Sequence, residues 1–158
     1  MYQRIIVPID GSDTSNKALV AALELARERQ GRIRLVHVVE ELAYLTGYDQ
    51  FGGYSGDLIK IMRETGTKVL ADGTAIAQSA GIEVDSVLYD NFGERLPEVV
   101  ADEARQWKAD LIVVGTHGRR GVGRILLGSG AEQIIRMAPV PVLVVRSEEG
   151  QTAAKAAA

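Results

Sequence analysis

Short apolar runs alternate along this chain with longer stretches whose apolar positions recur every three or four residues. Ile5–Ile9 reads as a first strand, and Asp10-Gly11-Ser12-Asp13 supplies turn and helix-start chemistry. Ala18, Ala22, Leu25 and Ala26 then carry helical spacing to about Gln30, where Gly31 is expected to end the helix. Ile33–Val39 predicts a second strand. Leu58, Met62, Thr65, Val69, Ile76 and Ala80 predict a second helix, weakened by Gly66 and Gly73 and closed by Gly81. Ile82–Leu88 is a third strand. Leu96, Val100, Ala104 and Trp107 mark a third helix, Leu111–Val114 a fourth strand, Ala131, Ile134 and Ile135 a short fourth helix, and Val140–Val145 a fifth strand.

A strict alternation of strand and helix implies a parallel sheet covered by helices on both faces, the doubly wound α/β class. The runs Ile5–Ile9, Ile33–Val39 and Leu111–Val114 are almost wholly apolar, as strands covered on both faces should be. The third strand alternates Glu83 and Asp85 with Ile82 and Val84, which places it at an edge. Glu40–Gly56 is long for a connection in a compact domain. Its Tyr44, Tyr48, Phe51 and Tyr54 suit a segment that closes over a ligand, meets a partner, or simply lies on the surface. A length of 158 residues favours one domain over residues 1–146, followed by a polar, alanine-rich tail over 147–158 that is expected to be flexible.

Composition narrows the chemistry. With no cysteine, thiolate metal sites, disulfides and cysteine nucleophiles are excluded. His37 and His117 are the two histidines, too few for a histidine-rich metal site. A formal net charge of -3 speaks against nucleic-acid binding by broad phosphate neutralisation. No apolar run approaches the roughly 18–20 residues of a membrane span, and no signal peptide is visible. A cytoplasmic protein with neither membrane nor nucleic acid as partner is the expectation.

The informative segment runs from Gly115 to Gly130, between the fourth strand and the fourth helix. Gly115, Gly118, Gly121, Gly123, Gly128 and Gly130 let a ligand approach the backbone closely. Successive backbone N–H groups in such a segment can form an anion-binding concavity. The helix beginning near Ser129 adds unpaired N–H groups and the positive end of its dipole, and Ser129 adds a hydroxyl. Phosphate is the expected tenant; the bland alternative is a turn whose glycines only satisfy geometry. There is no Gly-x4-Gly-Lys-Ser/Thr, and Gly121-Val122-Gly123 fails the dinucleotide pattern because Leu126 stands at the third glycine.

Gly115, Gly118, Gly128 and Ser129 keep the spacing Gly-x2-Gly-x9-Gly-Ser. Together with Val7-Pro8-Ile9-Asp10, His37-Val38-Val39, Val114-Gly115-Thr116-His117-Gly118, Leu126-Leu127-Gly128-Ser129 and Pro139-Val140-Pro141-Val142-Leu143-Val144-Val145, this resembles the nucleotide-binding branch of the universal stress protein family. The resemblance implies an adenine nucleotide alpha hydrolase-like fold: a five-stranded parallel sheet of order 3-2-1-4-5. It implies ATP as ligand, with ADP or AMP as relatives of it and a divalent cation such as Mg held through the phosphates. The backbone of Val38 would meet the adenine edge, and Pro8 and Ile9 would form part of the wall. Asp10 would contact the ribose or the phosphate region. Gly115, Thr116, His117 and Gly118 would line ribose and phosphates, and Gly128, Ser129 and Gly130 would hold phosphate. Asp10 and Gly115 would then flank the point where strand order reverses, where doubly wound sheets bind ligands.

Each of these residues also has a plainer reading. Asp10 suits a helix start, and its carboxylate suits ribose hydroxyls but would repel phosphate unless a cation intervened. His37, in an apolar strand, reads as a core or hydrogen-bonding histidine. Ser12, Thr14 and Ser15 read as helix-start residues, and Arg119, Arg120 and Arg124 as phosphate clamps or ordinary surface charge. No general base or phosphate-clamping lysine is evident and no catalytic residue is assigned. A slow ATP hydrolase and an interaction protein with a vestigial pocket are the alternatives to a nucleotide-binding regulatory protein of the stress response. An apolar fifth strand at a sheet edge predicts a homodimer through that strand, with a further protein partner left open.

Overall fold

The computed structural model describes residues 1–39, 56–91, 93–116 and 127–146. Nine elements alternate along them: β1 (Arg4–Pro8), α1 (Asp13–Arg29), β2 (Arg32–Val38), α2 (Gly56–Ser79), β3 (Glu83–Tyr89), α3 (Leu96–Gln106), β4 (Leu111–Gly115), α4 (Ser129–Met137) and β5 (Val142–Val145). The strands form one parallel sheet of order β3-β2-β1-β4-β5, as the sequence predicts. Strand order reverses at β1, so the C-terminal ends of β1 and β4 flank a crevice.

The period-two alternation of the strands builds two cores. Ile5, Val7, Ile33, Leu35, Leu111 and Val113 face α1 and α2, where they meet Ala18, Leu19, Ala22, Leu70 and Ala77. Ile6, Val36, Ile112 and Val114 face α3 and α4, where they meet Val99, Val100, Ala104, Ala131 and Ile134. The central strands β1, β2 and β4 are mainly apolar because both faces are covered; β3 has no buried residue, as its edge position requires. Ala18, Ala22 and Ala26 are fully buried at four-residue spacing and bring α1 close to the sheet.

Packing corrects the reading of Gly31 and adds a role for Gly66 and Gly73. The left-handed residue closing α1 is Gln30 (φ 52), not Gly31. Gly31 is instead a close-approach position: a Cβ there would stand 3.1 Å from the Cα and carbonyl oxygen of Gln3. Gly66 and Gly73 weaken α2 by propensity, and both lie where that helix presses on the sheet. A Cβ on Gly66 would meet the His37 ring at 2.7 Å, and one on Gly73 would meet Ile9 Cδ1 at 2.8 Å. β5 begins at Val142 rather than Val140, although the Pro141 carbonyl still accepts the Ile112 N–H at 3.0 Å. Among the described residues no helix is long and apolar enough to cross a membrane.

Candidate nucleotide site

The crevice is built from the turn after β1, the end of β2, and the two ends of the glycine segment. At the first of these, Ile9 lies just beyond β1 and its N–H still donates to the Val36 carbonyl at 2.9 Å. The chain then reverses through Gly11, whose φ of 79 suits glycine. Asp10 Oδ1 accepts the Ser12 N–H at 2.9 Å, a local Asx turn. Ser12 caps α1: its Oγ accepts the Ser15 N–H at 3.2 Å, and its carbonyl accepts the Ser15 hydroxyl at 3.0 Å. The Asp10 N–H reaches Ser15 Oγ at 3.4 Å. Asp10 therefore does serve the helix start with one carboxylate oxygen. Ser12 and Ser15 are the supports of that turn, as their residue types suggest.

β4 ends against α1. A Cβ on Gly115 would lie 2.7 Å from the Thr14 carbonyl oxygen, so close packing alone demands glycine there. The next residue, Thr116, is 6% exposed; its N–H donates to the Val145 carbonyl at 2.9 Å and its carbonyl accepts the Gly128 N–H at 2.6 Å. That second bond brings the far end of the glycine segment back beside its start. Gly128 is the N-cap of α4 and has no side chain to cap it, so the first-turn N–H groups of Ser129, Gly130 and Ala131 have no side-chain cap. Gly130 differs from Gly115: among the described residues a Cβ there would touch only Leu96 Cδ2, at an ordinary 3.7 Å. Packing explains Gly115 and does not explain Gly130. His117, Gly118, Arg119, Arg120 and Arg124, like the aromatic residues of the 40–55 stretch, lie outside the described residues.

Val38 closes the third side. It is the last residue of β2, level with Tyr89 of β3 and half-buried. In a parallel ladder both polar groups of one residue point to the same neighbour, and the direction alternates along the strand. The Val36 carbonyl points to β1 and the Val39 N–H points to β3, where it meets the Tyr89 carbonyl at 2.8 Å. The N–H and C=O of Val38 therefore face the β1 side, at the level where β1 has already turned away.

Below Val38, on the α3 face, lies a polar cluster that sequence patterning does not reveal. Glu103, 3% exposed on α3, accepts the Tyr89 hydroxyl through Oε2 and pairs through Oε1 with Arg34 Nη1 at 2.5 Å. Arg34 also binds Asp85 with two parallel bonds, 2.7 Å from Nε and 2.6 Å from Nη2. Hydrogen bonding to Asp85 raises the Arg34 pKa against the burial that lowers it, and Glu103 adds to the rise. Burial, and then the bond to the Glu103 carboxylate, push the Tyr89 phenol from 10.0 up to about 12. Arg34, Arg4 and Arg32 surround the buried Trp107 ring at 4.9, 4.8 and 5.4 Å from its centre. The signal available in sequence was faint: Arg32, Arg34, Glu83 and Asp85 at alternating positions of neighbouring strands. Among the described residues no group of three or more acidic or histidine side chains gathers to hold a metal ion.

The family described as "Universal stress protein family" matches residues 1–146. Universal stress protein MJ0531 of Methanocaldococcus jannaschii is 35% identical over 147 residues, which are 92% of this chain and 83% of that protein. A crystal structure of a universal stress protein family member from Burkholderia pseudomallei superposes with a TM-score of 0.72 at 32% identity, covering 92% of this chain and 97% of that one. The structure of the universal stress protein from Archaeoglobus fulgidus in complex with dAMP superposes with a TM-score of 0.66 at 27% identity, covering 90% and 97%. From the match over residues 1–146 and these relatives, the chain belongs to the universal stress protein family.

Proposed function

We propose that the crevice binds an adenine nucleotide, ATP first among them, and that occupancy makes this chain a regulatory module of the stress response. The observation that carries this reading is the Thr116–Gly128 hydrogen bond, which sets the uncapped start of α4 beside the end of β4. Phosphates would meet the N–H groups of Gly128, Ser129 and Gly130 and the Ser129 hydroxyl. The ribose would lie by Asp10 and Gly115, with Thr116, His117 and Gly118 as the neighbouring loop. The adenine edge would meet the backbone of Val38 beside Pro8 and Ile9. The related protein from Archaeoglobus fulgidus has been captured with dAMP, which supports an adenine nucleotide as the class of ligand. A divalent cation would enter with the phosphates, and Asp10 would face it.

Mass analysis of small molecules released from denatured protein identifies the nucleotide. Calorimetry on Gly128→Val and Ser129→Ala locates it: a hydrogen bond to a charged phosphate contributes about 1.5–3 kcal/mol, so each change should weaken ATP binding about ten- to a hundredfold. Unchanged affinity in both variants would discard the site. The second half of the proposal is a homodimer through β5. Leu143 is 39% exposed on that edge strand, and Val142, Val144 and Val145 are only partly covered, a surface that pairing with a second copy would bury.

A further inference from the structure

His37 is the polar side chain that meets the chain of the crevice from inside the sheet. The ladder between β1 and β2 pairs Arg4 with Arg32 through to Pro8 with Val36 and stops there. Ile9 makes the first half of the next step, its N–H to the Val36 carbonyl at 2.9 Å. A parallel ladder would complete that step by turning the Ile9 carbonyl to the Val38 N–H. Among the described backbone bonds that one is not made. The Ile9 carbonyl lies instead 2.7 Å from His37 Nδ1. A carbonyl only accepts, so Nδ1 carries the proton and donates. The ring fits because Gly66 of α2 has no side chain: a Cβ there would stand 2.7 Å from His37 Cδ2 and 3.0 Å from Nε2.

We propose that His37 is a positioning residue of the crevice: by drawing the Ile9 carbonyl out of the β1–β2 ladder, it leaves the Val38 N–H facing the site as a donor for the edge of a purine base. The ligand half of this inference rests on the nucleotide reading above; the ladder half does not. His37 touches no ligand in this arrangement. It acts through Ile9 and, one residue on, the turn that carries Asp10.

Two substitutions and two measurements test it. His37→Phe keeps a planar ring and loses the donor. His37→Asn places an amide nitrogen the same number of bonds from Cα as Nδ1 and restores it. In His37→Phe the Ile9 carbonyl returns to the ladder, so the Val38 amide of nucleotide-free protein should exchange with solvent about tenfold more slowly. ATP affinity should fall about fivefold, the worth of one neutral hydrogen bond. His37→Asn should bring both close to wild type. Rescue by asparagine separates a donor from a mere space-filling ring. The inference is overturned if the Val38 amide is already protected in the nucleotide-free wild type, if His37→Phe leaves its exchange unchanged, or if His37→Asn behaves like His37→Phe. Should the wild type bind no ATP, the nucleotide reading falls and the Val38 exchange decides the ladder role of His37 alone.

Discussion

Gly115→Ala offers the sharpest test of how the crevice is built, because packing and ligand binding both ask for glycine at that position. The added Cβ would stand 2.7 Å from the Thr14 carbonyl oxygen, 2.8 Å from its carbonyl carbon and 2.9 Å from its Cβ. Two of those atoms are backbone in the first turn of α1, so no side-chain rotation relieves the clash. Ordinary contact begins near 3.4 Å, so α1 and β4 must part by about 0.7 Å, the difference between 3.4 and 2.7. α1 cannot give locally, since Ala18, Leu19, Ala22 and Ala26 are fully buried against the sheet. Overpacking of this kind costs about 1–3 kcal/mol, and replacing a strand glycine by alanine returns about 0.5–1 kcal/mol. A net loss centred a little above ~1 kcal/mol, and at most about 2.5 kcal/mol, is expected in urea unfolding of nucleotide-free protein, at an unchanged slope. Gly130→Ala is the companion. Its Cβ meets nothing nearer than 3.7 Å among the described residues, so stability should hold or rise by up to about 1 kcal/mol from helix propensity. A nucleotide-free Gly115→Ala protein within 0.5 kcal/mol of wild type, about the spread of an ordinary surface change, would refute the close-packing argument.

Three further outcomes follow from the same geometry. Glu103→Ala leaves the Tyr89 hydroxyl without its acceptor and strips one partner from Arg34; because Arg34 keeps Asp85, the loss should lie at the low end of buried-pair removal, about 3 kcal/mol by chemical denaturation. The raised phenol pKa of Tyr89 gives a signed pH effect. Its contribution is whole below pH 10, where both folded and unfolded phenols are protonated, and is lost as pH climbs from 10 toward 12, where the unfolded phenol ionises first. The stability gap between wild type and Tyr89→Phe should therefore be flat to about pH 10 and shrink above it; a gap that widens in that window would contradict the cluster as described. Leu143→Lys puts a charge on the exposed face of the edge strand and should yield a monomer by light scattering, against the dimer proposed for the wild type.

The fold was legible because its strands announce themselves. Ile5–Ile9, Ile33–Val39 and Leu111–Val114 carry no polar face, and that alone marks them as central and parallel; the charges of β3 mark it as an edge. Helix starts were equally open to reading, since Ser12 caps α1 through chemistry that its residue type suggests. What stayed hidden depends on distances between elements remote in sequence. Gly66 and Gly73 look like flaws in α2 until His37 and Ile9 are seen beneath them. Glu103 looks like a solvent-facing helix residue until Arg34 and Tyr89 converge on it from two strands. In the crevice, the residue types at Gly128 and Ser129 pointed to phosphate chemistry, and that at Asp10 to a helix start or a ribose contact. The role of Gly115 as a packing position against Thr14 had no local signal at all.

The bond from Gly128 N–H to the Thr116 carbonyl has a consequence beyond ligand binding. It staples the two ends of a segment at the rim of the sheet, so the chain between them enters and leaves at one point. The entropy of closing such a segment grows only with the logarithm of its length, about 0.6 kcal/mol for each doubling. A change in the length of chain joining Thr116 to Gly128 therefore carries only a small closure cost for β4 and α4. A scaffold with that property can retune what it recognises, or cease to recognise it, with little penalty to its folding.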